Sequence, residues 1–427
     1  MVVSFEDATE IAAAGEAALP GDGIELEFGK GEKAHGVFDM RNEYPDRYVI
    51  SNMVGSSFSG YVTNAVKFNV VYGPLLTNVL TRYTGYKGRP LLPPPWAFLP
   101  WMSSDVWSSG GEVRYVLSAL RAYGIPGSIF VYDSPWEYSY NDFTWNTSQF
   151  SPNGTFSNIN GGGLSNYNGF ATTSDMMSFL QTNGYKAVCW FTPFIDTSSD
   201  NPECYSNCYY NVCMNENFGT TSNYPAALAS NYFVNVVNSG VTNVLSCDWW
   251  KGTGSPLDFT NPDAMQHLQN TLSNLVTQSG GVIGGFKTDD GEAQAVYRTG
   301  PFIPTNAVYA DGRTGVEMQN GYCVEYQKTV SGVLGTNGIL WGRSGFAGSQ
   351  AYPAIWGGEN EPNFGDANGL PAVMLAGESI AMSGFSIWGS DICGYEDSNW
   401  SGTPVDKPSF GQMPTSTRCD CSCVRAR

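Results

Sequence analysis

Short runs that alternate apolar with polar residues fill the first 88 positions of the chain. Residues 23–28 and 66–72 alternate in this way, and glycine and asparagine separate such runs from their neighbours. A period of two is typical of β-strands with one buried face, so we expect part of a β-sandwich domain over residues 1–88. The proline-rich segment 88–95 can continue neither a helix nor a central strand. It therefore predicts a domain boundary.

Beyond residue 89 the pattern changes to continuous apolar runs that alternate with amphipathic helical stretches. The runs predict strands near residues 96–102, 127–133, 186–194, 243–249, 283–289, 338–343, 353–357 and 384–390. The amphipathic stretches predict helices near residues 111–123, 173–183, 262–278, 316–333 and 370–383. Strands that are apolar on both faces are typical of a parallel sheet covered by helices. The repeated unit predicts an α/β fold, a (β/α)8 TIM-type barrel, over residues 89–405.

Polar residues follow the ends of these predicted strands. They are Asp133, Asp248, Asp289, Arg343, Glu359 and Asp391. Barrel enzymes build their sites at the carboxyl ends of the strands, whereas acidic residues without a function would fall at both ends. The sequence therefore predicts a pocket lined by carboxylates.

Composition restricts what this pocket can do. The formal net charge of −18 repels phosphate backbones and anionic lipids, so neither nucleic acid nor a membrane is expected as a partner. No apolar run reaches the roughly 18 residues that a membrane span needs. Only two histidines, His35 and His267, are present, which disfavours a histidine-based triad or a histidine-ligated metal. We expect carboxylate chemistry without a metal or another cofactor.

Cysteine and asparagine patterns favour secretion, although the first residues lack the pattern of a signal peptide. Cys204, Cys208 and Cys213 fall in a polar stretch, where a disulfide is more plausible than a buried thiol. Triplets that match the glycosylation acceptor pattern begin at Asn146, Asn153 and Asn399. We therefore expect an extracellular glycoprotein.

Segment 284–292 carries the strongest candidate for chemistry. Side chains two positions apart on a strand share a face, so Lys287 and Asp289 are expected to point the same way. Lys287 then stabilises ionised Asp289 and lowers its pKa, which suits a nucleophile. A solvated acidic loop is an equally good interpretation of the residues alone.

The same segment resembles the nucleophile motif of glycoside hydrolase family 31, in the Lys-Thr-Asp-Xaa-Gly-Glu form of its α-xylosidase-like members. Further segments similar to those of the family follow in its order, at residues 93–97, 131–136, 341–350, 356–359 and 386–395. The resemblance implies a retaining α-glycosidase that releases terminal α-linked glucose, xylose or galactose from oligo- or polysaccharides.

The resemblance also implies roles for individual residues. Asp289 matches the nucleophile and Glu359 the acid/base of a double displacement, whose two carboxyl groups lie about 5–5.5 Å apart. The family has aspartate at the position of Glu359, so Glu361 and Asp366 stay open as proton donors. The residues expected to bind sugar are Asp133, which inherits a bond to a hydroxyl, Trp190, Asp248, Trp249, Lys287, Arg343, Trp356, Phe385, Trp388 and Asp391.

Residues 406–427 depart from the family pattern. They form a basic, cysteine-rich tail without an apolar period, where family members continue with a helix and the eighth barrel strand. We expect a barrel that lacks its last strand and a tail outside the fold. Two alternatives to hydrolysis stay open: a transglycosylase that uses the same site, and a non-catalytic carbohydrate-binding remnant.

Overall fold

The computed structural model describes the chain in full over residues 75–103, 107, 109–134, 136–152, 167–198, 220–250, 252–292, 302–365, 368–392 and 394–395. Between residues 2 and 71, and between residues 199 and 213, only the backbone of the strands is described.

The described strands are, in chain order, β1 (Val2–Phe5), β2 (Ile24–Glu27), β3 (Ser51–Val54), β4 (Ser57–Gly60), β5 (Phe68–Val71), β6 (Trp101–Met102), β7 (Ile129–Tyr132), β8 (Lys186–Phe191), β9 (Phe194–Ser199), β10 (Cys204–Ser206), β11 (Asn211–Cys213), β12 (Asn235–Asn238), β13 (Val241–Val244), β14 (Cys247–Trp249), β15 (Gly252–Pro256), β16 (Ile283–Thr288), β17 (Ala307–Val308), β18 (Ile339–Gly342), β19 (Ile355–Trp356) and β20 (Trp388–Gly389). The α-helices are α1 (Leu76–Lys87), α2 (Gly110–Ala122), α3 (Thr147–Phe150), α4 (Thr173–Thr182), α5 (Tyr224–Ala229), α6 (Pro262–Gln278), α7 (Gly321–Leu334) and α8 (Leu370–Met382).

A parallel sheet of seven strands forms the centre of the described part of the chain, in the order β20-β19-β18-β16-β8-β7-β6. Its strands follow one another in chain order, and helices α2, α4, α6, α7 and α8 connect them. This is the arrangement of a TIM-type barrel, so the predicted fold class is confirmed. The five predicted helices are confirmed as well, whereas the tail at 406–427 lies outside the described residues.

One predicted barrel strand is wrong. Residues 243–249 do not enter the central sheet, because β8 and β16 pair directly and place Cys189 opposite Phe286. The run is divided between two antiparallel sheets, β13-β12-β17 and β14-β15-β9. Val241 at the start of β13 is 58% exposed, so β13 lacks the burial on both faces that a central parallel strand has.

The first strands of the chain pair antiparallel. β2 and β5 lie within the two alternating runs, and the pairs are β1 with β5 and β4 with both β2 and β3. Helix α1, which the alternation did not predict, ends at Lys87. Its C-cap residue Gly88, with φ of 118°, is the first residue of the proline-rich segment. The partial β-sandwich over residues 1–88 stays a prediction.

Two expectations about secretion meet the structure differently. Cys204 and Cys213 are backbone partners across β10 and β11, and a disulfide that involves Cys204, Cys208 or Cys213 stays a prediction. Asn146, in contrast, is 1% exposed, and its Oδ1 accepts a hydrogen bond from the backbone N–H of Gln149 at the start of α3. Because this side chain is a buried helix cap, the prediction that Asn146 accepts a glycan is wrong for the folded chain. No helix within the described ranges is long and apolar enough to cross a membrane.

Candidate active site

Strand β16 delivers the candidate nucleophile from the middle of the central sheet. All six of its residues are buried, and the N–H of Asp289, the next residue, donates to the carbonyl of Phe191 at the end of β8 (3.0 Å). A Cβ on Gly285 would lie 2.2 Å from the carbonyl oxygen of Ile339, so only glycine lets β16 and β18 approach this closely. The tight pairing places Asp289 at the carboxyl edge of the sheet, where its side chain is buried rather than in a solvated loop.

Three donors hold the Asp289 carboxylate. Oδ1 lies 2.8 Å from Nη1 of Arg343 and accepts the backbone N–H of Asp290 at 2.9 Å. Oδ2 accepts Nε1 of Trp190 at 2.9 Å. Both oxygens are therefore fixed in a site from which water is largely excluded.

The pKa of Asp289 reflects a competition between burial and these neighbours. Burial raises it, because the charged form loses its hydration. The positive charges of Arg343 and Lys287 and the hydrogen bonds from Trp190 and Asp290 lower it, and the net result is a pKa below the usual value. Asp289 therefore stays ionised as the pH falls into the mildly acidic range.

Arg343 serves three carboxylates at once. In addition to Asp289, Arg343 contacts Asp290 through Nη2. It also holds both oxygens of Glu292, at 2.9 Å from Nε and 3.0 Å from Nη2. Asp290 has φ of 54°, a left-handed conformation that turns its side chain toward the arginine. These surrounding negative charges raise the pKa of Arg343 although burial lowers it.

Lys287 faces the same side as Asp289, as the strand period predicts. Its Nζ lies 2.6 Å from Oδ2 of Asp133 and 4.1 Å from the ring centre of Trp356. Nε1 of Trp356 in turn donates to Oδ1 of Asp391 at 3.2 Å. Residues from the ends of β7, β16, β19 and β20 thus meet in one cluster. We define the carboxylate cluster as Asp133, Lys287, Trp356 and Asp391 together with Asp289, Arg343 and Trp190.

An aromatic group borders the carboxylate cluster. Trp190 and Trp249 lie with ring centres 6.4 Å apart and nearly parallel, and Tyr140 packs edge-on against both. Trp250 contacts Trp190 at 6.0 Å and is 40% exposed. Sequence reasoning missed Tyr140 and Trp250, although the pair of adjacent tryptophans at 249–250 was a signal for the second.

Asp248, Trp388 and Phe385 make contacts elsewhere in the fold, and Trp249 of the aromatic group makes one more. Oδ1 of Asp248 accepts the Thr253 hydroxyl within the β14–β15 hairpin (2.8 Å), and Nε1 of Trp249 donates to Asp196. The Trp388 ring contacts Gly377 of α8, where a Cβ would lie 2.9 Å away, so this side chain fills the space between sheet and helix. Phe385 lies beside Gly345, in the loop that follows Arg343.

The three candidate proton donors follow β19. Glu359 is exposed, and its carbonyl accepts Nδ2 of Asn368 at 3.1 Å. Glu361 accepts Nδ2 of Asn363 at 2.7 Å, and Asp366 lies outside the described residues. The assignment of the acid/base, and every contact to sugar, stay predictions. Within the described residues, no group of acidic, histidine or cysteine side chains is arranged to hold a metal ion.

Comparison with known proteins agrees with this geometry. Residues 90–406 match the glycosyl hydrolases family 31 TIM-barrel domain. The chain is 25% identical over 375 residues to an isomaltosyltransferase of Sporosarcina globispora. The aligned region covers 84% of this chain and 30% of that protein. It is 25% identical over 348 residues to an α-xylosidase of Emericella nidulans, covering 79% and 36% of the two chains.

A solved structure is also similar. The cycloalternan-forming enzyme from Listeria monocytogenes, in complex with its pentasaccharide substrate, superposes with a TM-score of 0.60 at 24% identity, over 80% of this chain and 30% of that one. The chain thus spans about a third of the length of the curated relatives it matches. By the match that extends over most of its residues, the chain belongs to glycosyl hydrolase family 31.

Proposed function

We propose that this chain carries the catalytic barrel of a retaining α-glycosidase, with Asp289 as nucleophile. The observation that carries the proposal is the buried carboxylate of Asp289, held by Arg343 and Trp190 at the carboxyl edge of the sheet. A carboxylate that stays ionised and fixed in position can attack an anomeric carbon. The attack forms a bond from a carboxylate oxygen to that carbon while the bond to the leaving oxygen breaks.

The second carboxyl group of the proposed reaction is Glu359. It follows the strand that carries Trp356, whose ring contacts Lys287 of the carboxylate cluster, and its exposure leaves it accessible to a leaving group and to water. In the first step Glu359 gives its proton to the departing oxygen. In the second step it takes a proton from water, which displaces Asp289 and restores the starting anomeric configuration.

A transglycosylase is the second candidate. The relative named isomaltosyltransferase favours it, because a transferase and a hydrolase share the first displacement and differ only in whether a sugar or water accepts the glycosyl group.

The proposed neutral substrates are α-glucosides, α-xylosides and α-galactosides. The non-catalytic alternative predicts sugar binding without turnover.

The first experiment tests the nucleophile. The protein is incubated with aryl α-glucoside, α-xyloside and α-galactoside, with and without added acceptor sugar, beside the variants Asp289→Ala and Asp263→Ala. Asp263 is an exposed aspartate in the first turn of α6. We expect Asp289→Ala to lose turnover by about 10⁴-fold or more, and Asp263→Ala to keep it.

Azide distinguishes loss of the nucleophile from loss of the fold. In Asp289→Ala this anion can attack from the vacated side, so a glycosyl azide of β configuration is expected, whereas the unsubstituted protein releases α-configured product. Unchanged turnover by Asp289→Ala would end the proposal. A transfer product that grows with acceptor concentration would favour the transglycosylase.

The second experiment tests the acid/base through Glu359→Gln, Glu361→Gln and Asp366→Asn. The correct variant loses activity on sugars with poor leaving groups but keeps the first step with a dinitrophenyl glycoside, which leaves without protonation. We expect Glu359→Gln to behave in this way. The same behaviour in one of the other two variants would move the role to that residue.

A further inference from the structure

The loop that follows β7 is tied to the end of β8 through one buried asparagine. Asn141 is fully buried and has φ of 59°, a conformation that asparagine tolerates better than most residues. Its Nδ2 donates to Oγ1 of Thr192 at 2.8 Å, and its Oδ1 accepts the N–H of Thr192 at 3.0 Å. We call these two bonds the Asn141–Thr192 latch.

Backbone bonds fix the asparagine itself. Its N–H donates to Oε2 of Glu137 at 2.9 Å, and its carbonyl accepts Nδ2 of Asn223 at 2.9 Å. Oε1 of Glu137 also accepts the N–H of Phe143 at 3.0 Å. The loop therefore closes around a buried carboxyl group and presents the Asn141 amide to β8 in one orientation.

The segment on the other side of the latch touches the candidate nucleophile twice. The carbonyl of Phe191 accepts the N–H of Asp289, and Nε1 of Trp190 donates to Oδ2 of Asp289. Nε1 of Trp136, from the same loop as Asn141, donates to the carbonyl of Trp190 at 2.7 Å. Residues 190–192 are thus held by the loop on one side and hold Asp289 on the other.

We propose that Asn141 is a positioning residue for Asp289, which acts through residues 190–192. The inference rests on the proposed function, because it assigns Asn141 to the nucleophile of that reaction. Displacements of about 1 Å at a reacting group can cost about a hundredfold in rate, so a latch one residue beyond Phe191 is close enough to matter. Nothing in this role requires Asn141 to contact the sugar.

Titratable groups surround both ends of the latch. Glu137, Asp142, Asp196 and Cys189 interact on the loop side, and burial raises the pKa of Glu137 and of Cys189. Arg343, Lys287, Asp290 and Tyr326 surround Asp289. A shift in a pH profile therefore has to be traced to Asp289 by a second substitution.

The test removes the latch without disturbing the backbone. Asn141→Gly keeps the left-handed conformation, which glycine adopts freely, and removes the buried side chain together with its two bonds to Thr192. Asn231→Gly is the matched control, because Asn231 has φ of 54° and is exposed. We expect kcat/KM on the best aryl α-glycoside to fall at least about tenfold in Asn141→Gly, with the acid limb of its pH profile moved to higher pH, and to stay unchanged in the control.

A double-substitution cycle identifies the route. Trp190→Phe removes the hydrogen bond to Asp289, so if Asn141 acts through Trp190 the double variant Asn141→Gly/Trp190→Phe is no slower than Trp190→Phe alone. An unmoved acid limb in Asn141→Gly would overturn the proposal. Losses that multiply in the double variant would exclude the route through Trp190 and leave the Phe191 carbonyl as the contact that carries the effect.

Two further measurements keep the outcomes separate. If Asn141→Gly does not fold, as judged by circular dichroism, Thr192→Val removes the hydroxyl from the other side of the latch and is read in the same way. If Asp289→Ala keeps the activity of the unsubstituted protein, the proposed function fails. If Asp289 is essential but Asn141→Gly equals Asn231→Gly, only the positioning role fails.

Discussion

Asp289 shows that a strand period predicts the direction of a side chain but not its partners. The alternation along β16 placed Lys287 and Asp289 on one side, and both are there in the structure. The contacts to Arg343 and Trp190 depend on loops after β18 and on β8, which are distant in sequence. The family resemblance named those residues, whereas the Asn141–Thr192 latch had no signal because a left-handed asparagine in a loop has no periodic pattern.

Lys287 is predicted to set the acid limit of activity. Lys287→Met removes a positive charge that lowers the pKa of Asp289, so this pKa rises and the carboxylate becomes protonated at a higher pH. The acid limb of kcat/KM then moves upward, and activity falls by at least about tenfold on that limb, with a smaller loss near neutrality. Lys186→Met is the control, since Nζ of Lys186 donates to the carbonyl of Gly281, which precedes β16 at the opposite end from Asp289. An unmoved acid limb would contradict the assignment.

Central strands were predictable because burial on both faces leaves a continuous apolar run. The run at 243–249 is similarly apolar, yet it belongs to antiparallel strands between β8 and β16. The composition of seven residues does not reveal which strands the segment pairs with. This pairing decides whether the segment belongs to the central parallel sheet or to an antiparallel sheet. The insertion that contains β14 also brings Trp249 and Trp250 beside Trp190, so the misjudged element is one that borders the candidate site.

The pairing of β16 with β18 is predicted to depend on Gly285. Gly285→Ala would place a Cβ against the backbone of Ile339, and separating the two strands should lower the free energy of unfolding by about 2 kcal/mol or more. Gly85→Ala in helix α1 is the control: its Cβ meets only the end of the Arg89 side chain, 3.3 Å away, and alanine stabilises helices by up to about 1 kcal/mol over glycine. Urea unfolding of the two variants checks this. Equal midpoints would contradict it.

Across the whole molecule, the net charge has the same sign as the charge that surrounds the candidate site. The chain carries a net charge of −18, and the carboxylates around Lys287 and Arg343 outnumber these two cations. Composition alone predicted the sign of this charge, and the expectation that polyanions are not partners stays a prediction. It could not predict that the negative charges gather at the carboxyl edge of one sheet, because that depends on the fold.

An acidic sugar is therefore predicted to be a poor substrate. An aryl α-glucuronide should show a kcat/KM at least about tenfold below that of the matching α-glucoside at low salt, because the field repels an anion. Part of this difference should disappear at about 1 M salt, where the screening length falls to about 3 Å, whereas hydrolysis of the neutral glucoside should change little. Equal kcat/KM for the two sugars at low salt would contradict this view of the pocket.

The three donors on Asp289 have a consequence for conformational entropy. A free aspartate side chain samples several rotamers, and ordering it in a transition state has a cost. Here Arg343, Trp190 and the Asp290 N–H already restrict both oxygens. In the proposed reaction that ordering takes place once, when the chain folds, and does not have to be repeated each time a sugar arrives.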